Sequence, residues 1–384
     1  LKVEHNISRL NYLLQLYRIT ESELIERASE GLKIPLSRKD IYANQINLNH
    51  LKRIDRVFNK GITFYLDPKP LKENKEASIF FRKTKFYSDL NFGAKKIVND
   101  FEELKISLST IATLSDLKIE RNIPVFDLSD NPKKVAKLLR NRLYPEEFTN
   151  KLRDFLKALI NKFAENNIFV FEFIETWNKR DIANIDGFFL EPNVIVLKRQ
   201  QRSFRREIFT LIHELGHYLL NEEEVEQVEY NISTKGNNKI ENWCNEFAFF
   251  FLAGNNADKL NLIEYVHSEN DYENNLIEKI SSETNLSALA IYTRLLFQNK
   301  ISSLDYNMIK LNFEERFRQK QEKEKAKKEK EKEMGIKQRG SVPKPINSPL
   351  FVSTLQSAFY DGVINEYDLC KNLNIKPEKL NQFI

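Results

Sequence analysis

The sequence predicts a mainly helical protein of the α+β class, on three observations. Apolar residues recur at three- and four-residue spacing along most of the 384 positions, as in helices that bury one face. Strand character is confined to residues 168–197, where IFVFEFI precedes two β-rich runs separated by Glu191-Pro192. That region leads directly into an apolar helical stretch, residues 208–220, and a second follows at 239–252. The expected architecture is a small antiparallel sheet followed by packed helices, with a helical domain before it and a small helical unit after it.

Composition narrows the class. Hydrophobic residues make up 41% and charged residues 30%, which describes a globular chain with ample core material. A net charge of +5 is small for this length, so charge alone does not argue for nucleic acid. Two cysteines, Cys244 and Cys370, offer no disulfide framework and suit a reducing compartment. No signal-peptide pattern stands out and no apolar run is long enough to span a bilayer, so no membrane partner and a cytoplasmic location are expected.

In chain order, residues 1–66 read as a helical domain of the helix-turn-helix kind. Ile7, Leu10, Leu13, Leu14 and Tyr17 fall at helical spacing, and Thr20 and Glu23 form a capping box for a second helix. Short helices follow at 37–42 and 49–58. A DNA-reading helix needs polar or basic side chains on one face, and only Arg38 and Lys39 meet that need. A protein partner is therefore expected ahead of DNA. Residues 67–90 read as a linker, introduced by Asp67-Pro68-Lys69-Pro70. Helices are expected at 91–117, at 131–143 opening on Asn131-Pro132, and at 148–166, with an extended piece at 122–125 between the first two. Residues 182–190 and 193–197 should pair as a hairpin around Glu191-Pro192.

The chemistry sits in the next helix, Phe209-Thr210-Leu211-Ile212-His213-Glu214-Leu215-Gly216-His217. At i and i+4, His213 and His217 leave the same helix face and can share one metal ion at roughly 2.0–2.1 Å. Glu214 follows the first histidine, where its carboxylate can touch water at the metal without being a ligand. A surface accident is the plain alternative. Against it, the chain has five histidines and two fall here at ligand spacing inside an apolar run. Gly216 costs a helix about 1 kcal/mol relative to alanine, which suggests a close approach by another backbone or by substrate. A third ligand must come from downstream. Glu222, Glu223, Glu224, Glu226 and Glu229 read as a solvated acidic segment. On the helix at 239–252, Glu241, Asn245, Ala248 and Leu252 share a face with Cys244 alongside, which favours Glu241, with Glu246 as the fallback.

The HELGH stretch, followed by Glu241-Asn242-Trp243-Cys244-Asn245-Glu246-Phe247-Ala248, resembles the ImmA/IrrE family of metallopeptidases. The resemblance extends to Gly187-Phe188-Phe189. It implies a zincin-like, gluzincin-type catalytic domain over residues 91–318. It further implies Zn2+ held by His213, His217 and Glu241, with Glu214 as catalytic base. In family members of this layout the N-terminal segment resembles a degenerate Xre-type helix-turn-helix. Members belong to mobile elements, phage-related loci and toxin–antitoxin pairs, and several cleave or control helix-turn-helix repressors. Ile208 stands where the family often has a basic residue, and Phe251-Leu252-Ala253-Gly254 replaces a leucine–methionine–proline ending. Neither removes a ligand or the base.

Beyond the site, residues 319–349 begin with a Lys/Glu alternation whose signs nearly cancel, which suits an exposed helix or tether. Residues 350–384 carry apolar positions for a small helical unit, marginal alone and expected to dock on the body or a partner. Two functions follow as expectations. The first is an intracellular zinc endopeptidase acting on a helix-turn-helix regulator or a toxin-linked partner. The second is a non-proteolytic regulator or antitoxin subunit with a binding N-terminal domain. Three ligands plus an open position, together with an intact Glu214, favour the first.

Overall fold

The computed structural model describes residues 1–70, 90–145, 151–175, 181–199, 204–223, 239–268, 271–334 and 344–383. Most of the expected linker, and Glu224, Glu226 and Glu229, lie outside them. Two compact units are present: Leu1–Leu104 with Lys179–Asn184, and Lys105–Asn178 with Ile185–Ile384.

The first unit carries helices α1 (Ile7–Tyr17), α2 (Glu21–Ser29), α3 (Arg38–Ile41), α4 (Leu48–Phe58) and α5 (Ile62–Leu66). Thr20 and Glu23 close the expected capping box at the start of α2. Leu10, Leu13, Tyr17, Leu24, Leu51, Ile54 and Phe58 are fully buried, so the apolar stripes read from the sequence do form a core. The Tyr17 and Phe58 rings stack at 5.5 Å. One element was unexpected: β1 (Lys2–Glu4) and β2 (Gln45–Asn47) form an antiparallel ribbon with Val3 opposite Ile46. Strands of three residues are too short to show a two-residue period. α3, which carries Arg38 and Lys39, is four residues long, and Arg38 pairs with Glu21 at 3.0 Å.

Helix α6 (Phe92–Leu114) precedes α7 (Pro132–Leu143) and α8 (Leu152–Ala164). Asn131 caps α7 by accepting the amides of Lys133 and Lys134, with Pro132 in the first turn, as the Asn-Pro pair predicted. The piece at 122–125 forms no strand, but just beyond it Phe126 donates its amide to the Leu219 carbonyl at 2.9 Å.

The sheet of the second unit corrects the expectation. Strands β3 (Phe169–Ile174), β4 (Gly187–Leu190) and β5 (Val194–Arg199) lie in the order β3-β5-β4. β4 and β5 form the antiparallel hairpin expected around Glu191-Pro192, whose peptide bond is cis. β3, however, runs parallel to β5, from Phe169 beside Val194 to Ile174 beside Arg199, so the sheet is mixed. The physical reason lies in connection length and burial. A short turn forces antiparallel pairing, whereas a long crossover permits parallel pairing of strands covered on both faces. Val170 joins the main core, and Phe171 on the opposite face meets Phe351 at 5.2 Å. Phe351 belongs to α15 (Pro349–Tyr360), so the C-terminal segment does dock on the body.

Helix α9 (Phe204–Leu220) lies on β4 and β5, and α10 (Lys239–Ala253) packs along α9 and against α7. Every residue of α9 from Thr210 to Leu220 is buried. Its ends are tied down. Near the start, Glu207 accepts from Arg199 of β5 at 2.6 Å. At the end, Asn221 adopts a positive φ, and Arg121 donates to its side chain at 3.0 Å while lying 3.9 Å over the Tyr218 ring. Arg121 also donates to the Tyr218 carbonyl, placing a cation on the orphan carbonyls of the helix C-terminus.

Helices α11 (Asn256–Asn261), α12 (Asp271–Glu283), α13 (Ala288–Phe297) and α14 (Ser303–Glu333) follow, and α16 (Glu366–Leu373) succeeds α15. Tyr306 and Ile309 root α14 in the core, and its Lys/Glu portion continues as helix. No helix among the described residues is long and apolar enough to cross a membrane.

Candidate metal centre

The site lies where α9 meets α10. The imidazoles of His213 and His217 leave one face of α9, and their Nε2 atoms are 3.2 Å apart. Glu241, in the first turn of α10, brings Oε2 to 3.2 Å from His213 Nε2 and Oε1 to 3.0 Å from His217 Nε2. The expected triad is therefore brought together, and its donor atoms converge on one point. Tetrahedral zinc with bonds of about 2.0–2.1 Å separates neighbouring ligand atoms by about 3.3 Å, so the spacing fits one ion. Glu246 is not part of this group: Arg294 engages it and stacks 4.0 Å from the Phe249 ring.

The electrostatics point the same way. Burial would raise the Glu241 carboxyl, but the two histidines hold it far below the usual range. Burial would lower His217, yet the Cys244 thiol and Glu241 raise it well above its ordinary value. A buried carboxylate of this kind needs positive charge beside it, which protons on imidazole or a divalent cation can supply.

Glu214 differs from Glu241. It is 4% exposed, its Oε2 has no hydrogen-bond partner among the described residues, and burial pushes its pKa up to about 7. The neighbouring carboxylates of Glu241 and Asp186 push the same way, while the two histidines oppose them. A carboxyl poised near neutrality beside a metal-ligand set can both take up and release a proton. Asp186 itself is held by Arg206 of α9.

Two glycines explain the close packing. A Cβ at Gly216 would lie 2.9 Å from Cys244 Sγ and 3.0 Å from its Cα, so the expected close approach is that of the α10 backbone. A Cβ at Gly187 would lie 2.7 Å from Thr210 Cγ2 and 3.2 Å from Glu214 Cγ, so β4 passes directly over the glutamate. β4 ends the three-stranded sheet and has no strand on its other side among the described residues.

Two features escaped the sequence reading. Glu223, expected to be solvated, is 2% exposed and accepts the Glu191 amide at 2.9 Å. That amide lies at the β4–β5 turn, and no sequence pattern signals the pairing. Helical spacing puts Asn245 on the Glu241 face, and in the structure its Oδ1 meets His213 Nδ1 at 3.0 Å. Its spacing from Glu241 was the available signal.

Comparison with known proteins agrees with this geometry. No curated protein and no solved structure matches the chain. Residues 170–296 match a peptidase family model described as the IrrE N-terminal-like domain, a span that holds β4, β5, α9, α10 and all of β3 except Phe169. The match supports an ImmA/IrrE-type metallopeptidase with a divalent metal for this part of the chain.

Proposed function

We propose that the chain is a zinc-dependent endopeptidase that works inside the cell and hydrolyses a regulatory protein of the helix-turn-helix or antitoxin type. The observation that carries this reading is the convergence of two Nε2 atoms and one carboxylate beside a separate, buried glutamate oxygen with no hydrogen-bond partner among the described residues. A closed structural site takes four protein ligands and has no use for such a base.

In this reading His213, His217 and Glu241 hold zinc, and Glu214 remains outside the ligand set. When bound, zinc would supply Lewis acidity toward the scissile carbonyl and toward water. Glu214, buried beside the ligand set, would take a proton from the attacking water and return it to the departing amine. β4 is the edge strand of its sheet among the described residues and passes over Glu214, so an extended peptide laid beside it would lie over the base. A loop or linker of the substrate has to be drawn out as a strand to bind this way, which favours unstructured segments of a regulator.

The N-terminal unit serves in substrate choice by contact with protein. Its candidate reading helix is a single turn, and one of its two basic residues is already paired. The test uses the purified chain with zinc and the helix-turn-helix protein encoded beside it. Glu214→Gln should retain metal and lose cleavage by orders of magnitude. If Glu214→Gln kept its full effect on the partner in cells, proteolysis would not be the function, and the chain would be a regulator or antitoxin subunit.

A further inference from the structure

One turn of α10 delivers two things to the site. Glu241 brings its carboxylate between the histidine Nε2 atoms, and four residues on, Asn245 reaches the far side of the His213 ring. The Asn245 Oδ1 to His213 Nδ1 distance of 3.0 Å is that of an ordinary hydrogen bond. His217 is treated differently: its Nδ1 has no hydrogen-bond partner among the described residues, and the Cys244 thiol interacts with the residue.

We propose that Asn245 is a positioning residue that fixes the tautomer and the ring plane of His213 for metal binding. The inference rests on the metal reading above and goes beyond its ligand set. A neutral imidazole carries one N–H and one lone pair. With the Asn245 carbonyl oxygen accepting from Nδ1–H, the lone pair sits on Nε2, facing His217 Nε2 and Glu241. In the opposite amide orientation, Asn245 would donate to Nδ1, and Nε2 would carry the hydrogen and offer the ion nothing. Only the accepting orientation is compatible with His213 as a ligand. Partners of this kind on ligating histidines raise metal affinity. The close seating of α10 makes this one possible, because Gly216 leaves room for the Cys244 backbone and so brings Asn245 within reach. Ligand and positioning group share one rigid turn, so a shift of α10 disturbs both.

The test measures zinc binding to the full-length chain by competition with a chromophoric chelator, together with the ring nitrogen resonances of its five histidines. Asn245→Ala should weaken zinc binding about 10- to 100-fold and remove the Nδ1–H signature of one histidine, while circular dichroism stays native. Asn245→Asp keeps an acceptor at the same place and should restore both readouts. Wild-type affinity in a folded Asn245→Ala protein would overturn the proposal and leave the metal reading intact. Equal loss in Asn245→Ala and Asn245→Asp would assign the residue to packing and also overturn it. A wild-type chain that binds no zinc would remove the metal reading itself, a different result from either.

Discussion

Replacing Glu214 by glutamine should stabilise the metal-free protein, and do so only above acidic pH. The structure sets the magnitude. Burial raises this carboxyl from the ordinary 4.5 to about 7. At about 1.4 kcal/mol per pH unit, ionising it inside the fold costs about 3 kcal/mol relative to the unfolded chain. The sign follows from a folded-state value above the unfolded one. The contribution is fully present below pH 4.5 and is lost as pH rises through 7. Glutamine has the same shape and nothing to ionise, so it escapes the loss. Thermal melts of both forms in excess chelator should coincide near pH 4.5 and diverge up to pH 8. There Glu214→Gln should melt higher by roughly 5–10 °C for a unit of this size. Adding zinc should raise both melting points and narrow the gap, because a dication favours the ionised carboxylate. A gap that is the same at acidic and alkaline pH, or a glutamine variant that melts lower at pH 8, would show that Glu214 is not desolvated as described.

The remaining predictions concern the ion, the helix contact and the N-terminal unit. One zinc per chain should bind, and elemental analysis should find none in His213→Ala with His217→Ala; full occupancy in the double variant would end the assignment. Glu241→Ala should weaken zinc binding strongly, whereas Glu246→Ala loses only an ion pair with Arg294 and should leave affinity unchanged in the same titration. Gly216→Ala should destabilise by about 1–3 kcal/mol, although alanine favours helices, because the new methyl meets the Cys244 backbone at 3.0 Å. Adding Cys244→Ala should not rescue it, since the Cα and Cβ contacts remain, and rescue in a denaturant melt would contradict the packing argument. Residues 1–66 should show no tight, sequence-selective DNA binding; nanomolar affinity at physiological salt, with the steep salt dependence of phosphate contacts, would reverse that expectation.

Local patterns were legible where the physics is local. The Thr20–Glu23 capping box, the Asn131-Pro132 helix start and the hairpin at Glu191-Pro192 depend on residues within a few positions of one another, and each is present. The pair His213 and His217 is of the same kind, because helix geometry alone puts them on one face. The choice of Glu241 over Glu246 was also within reach, since a helix period separates the two faces of α10. The β1–β2 ribbon was not legible, because its two three-residue strands lie some forty positions apart and neither shows a period.

What the sequence determined by itself is thus the helix that offers two imidazoles, the glutamate beside them, and the downstream helix that supplies a carboxylate. What only the tertiary structure decided is everything that depends on which surfaces meet. β3 runs parallel to β5 with Phe351 and the main core on its two faces, and the apolar run IFVFEFI is compatible with either direction, so only the long connection and the assembled layers decide it. Glu223 is buried because an amide at the β4–β5 turn faces it, while its neighbours in sequence read as solvated. The Glu214 carboxyl is pushed up to about 7 because α9 is buried from Thr210 to Leu220, a property of the assembled core that no residue carries alone. Asn245 reaches His213 because Gly216 lets two helices approach to backbone contact. Spacing along a chain can nominate ligands, but the distance between two helices is set by the side chains that fill, or leave empty, the space between them.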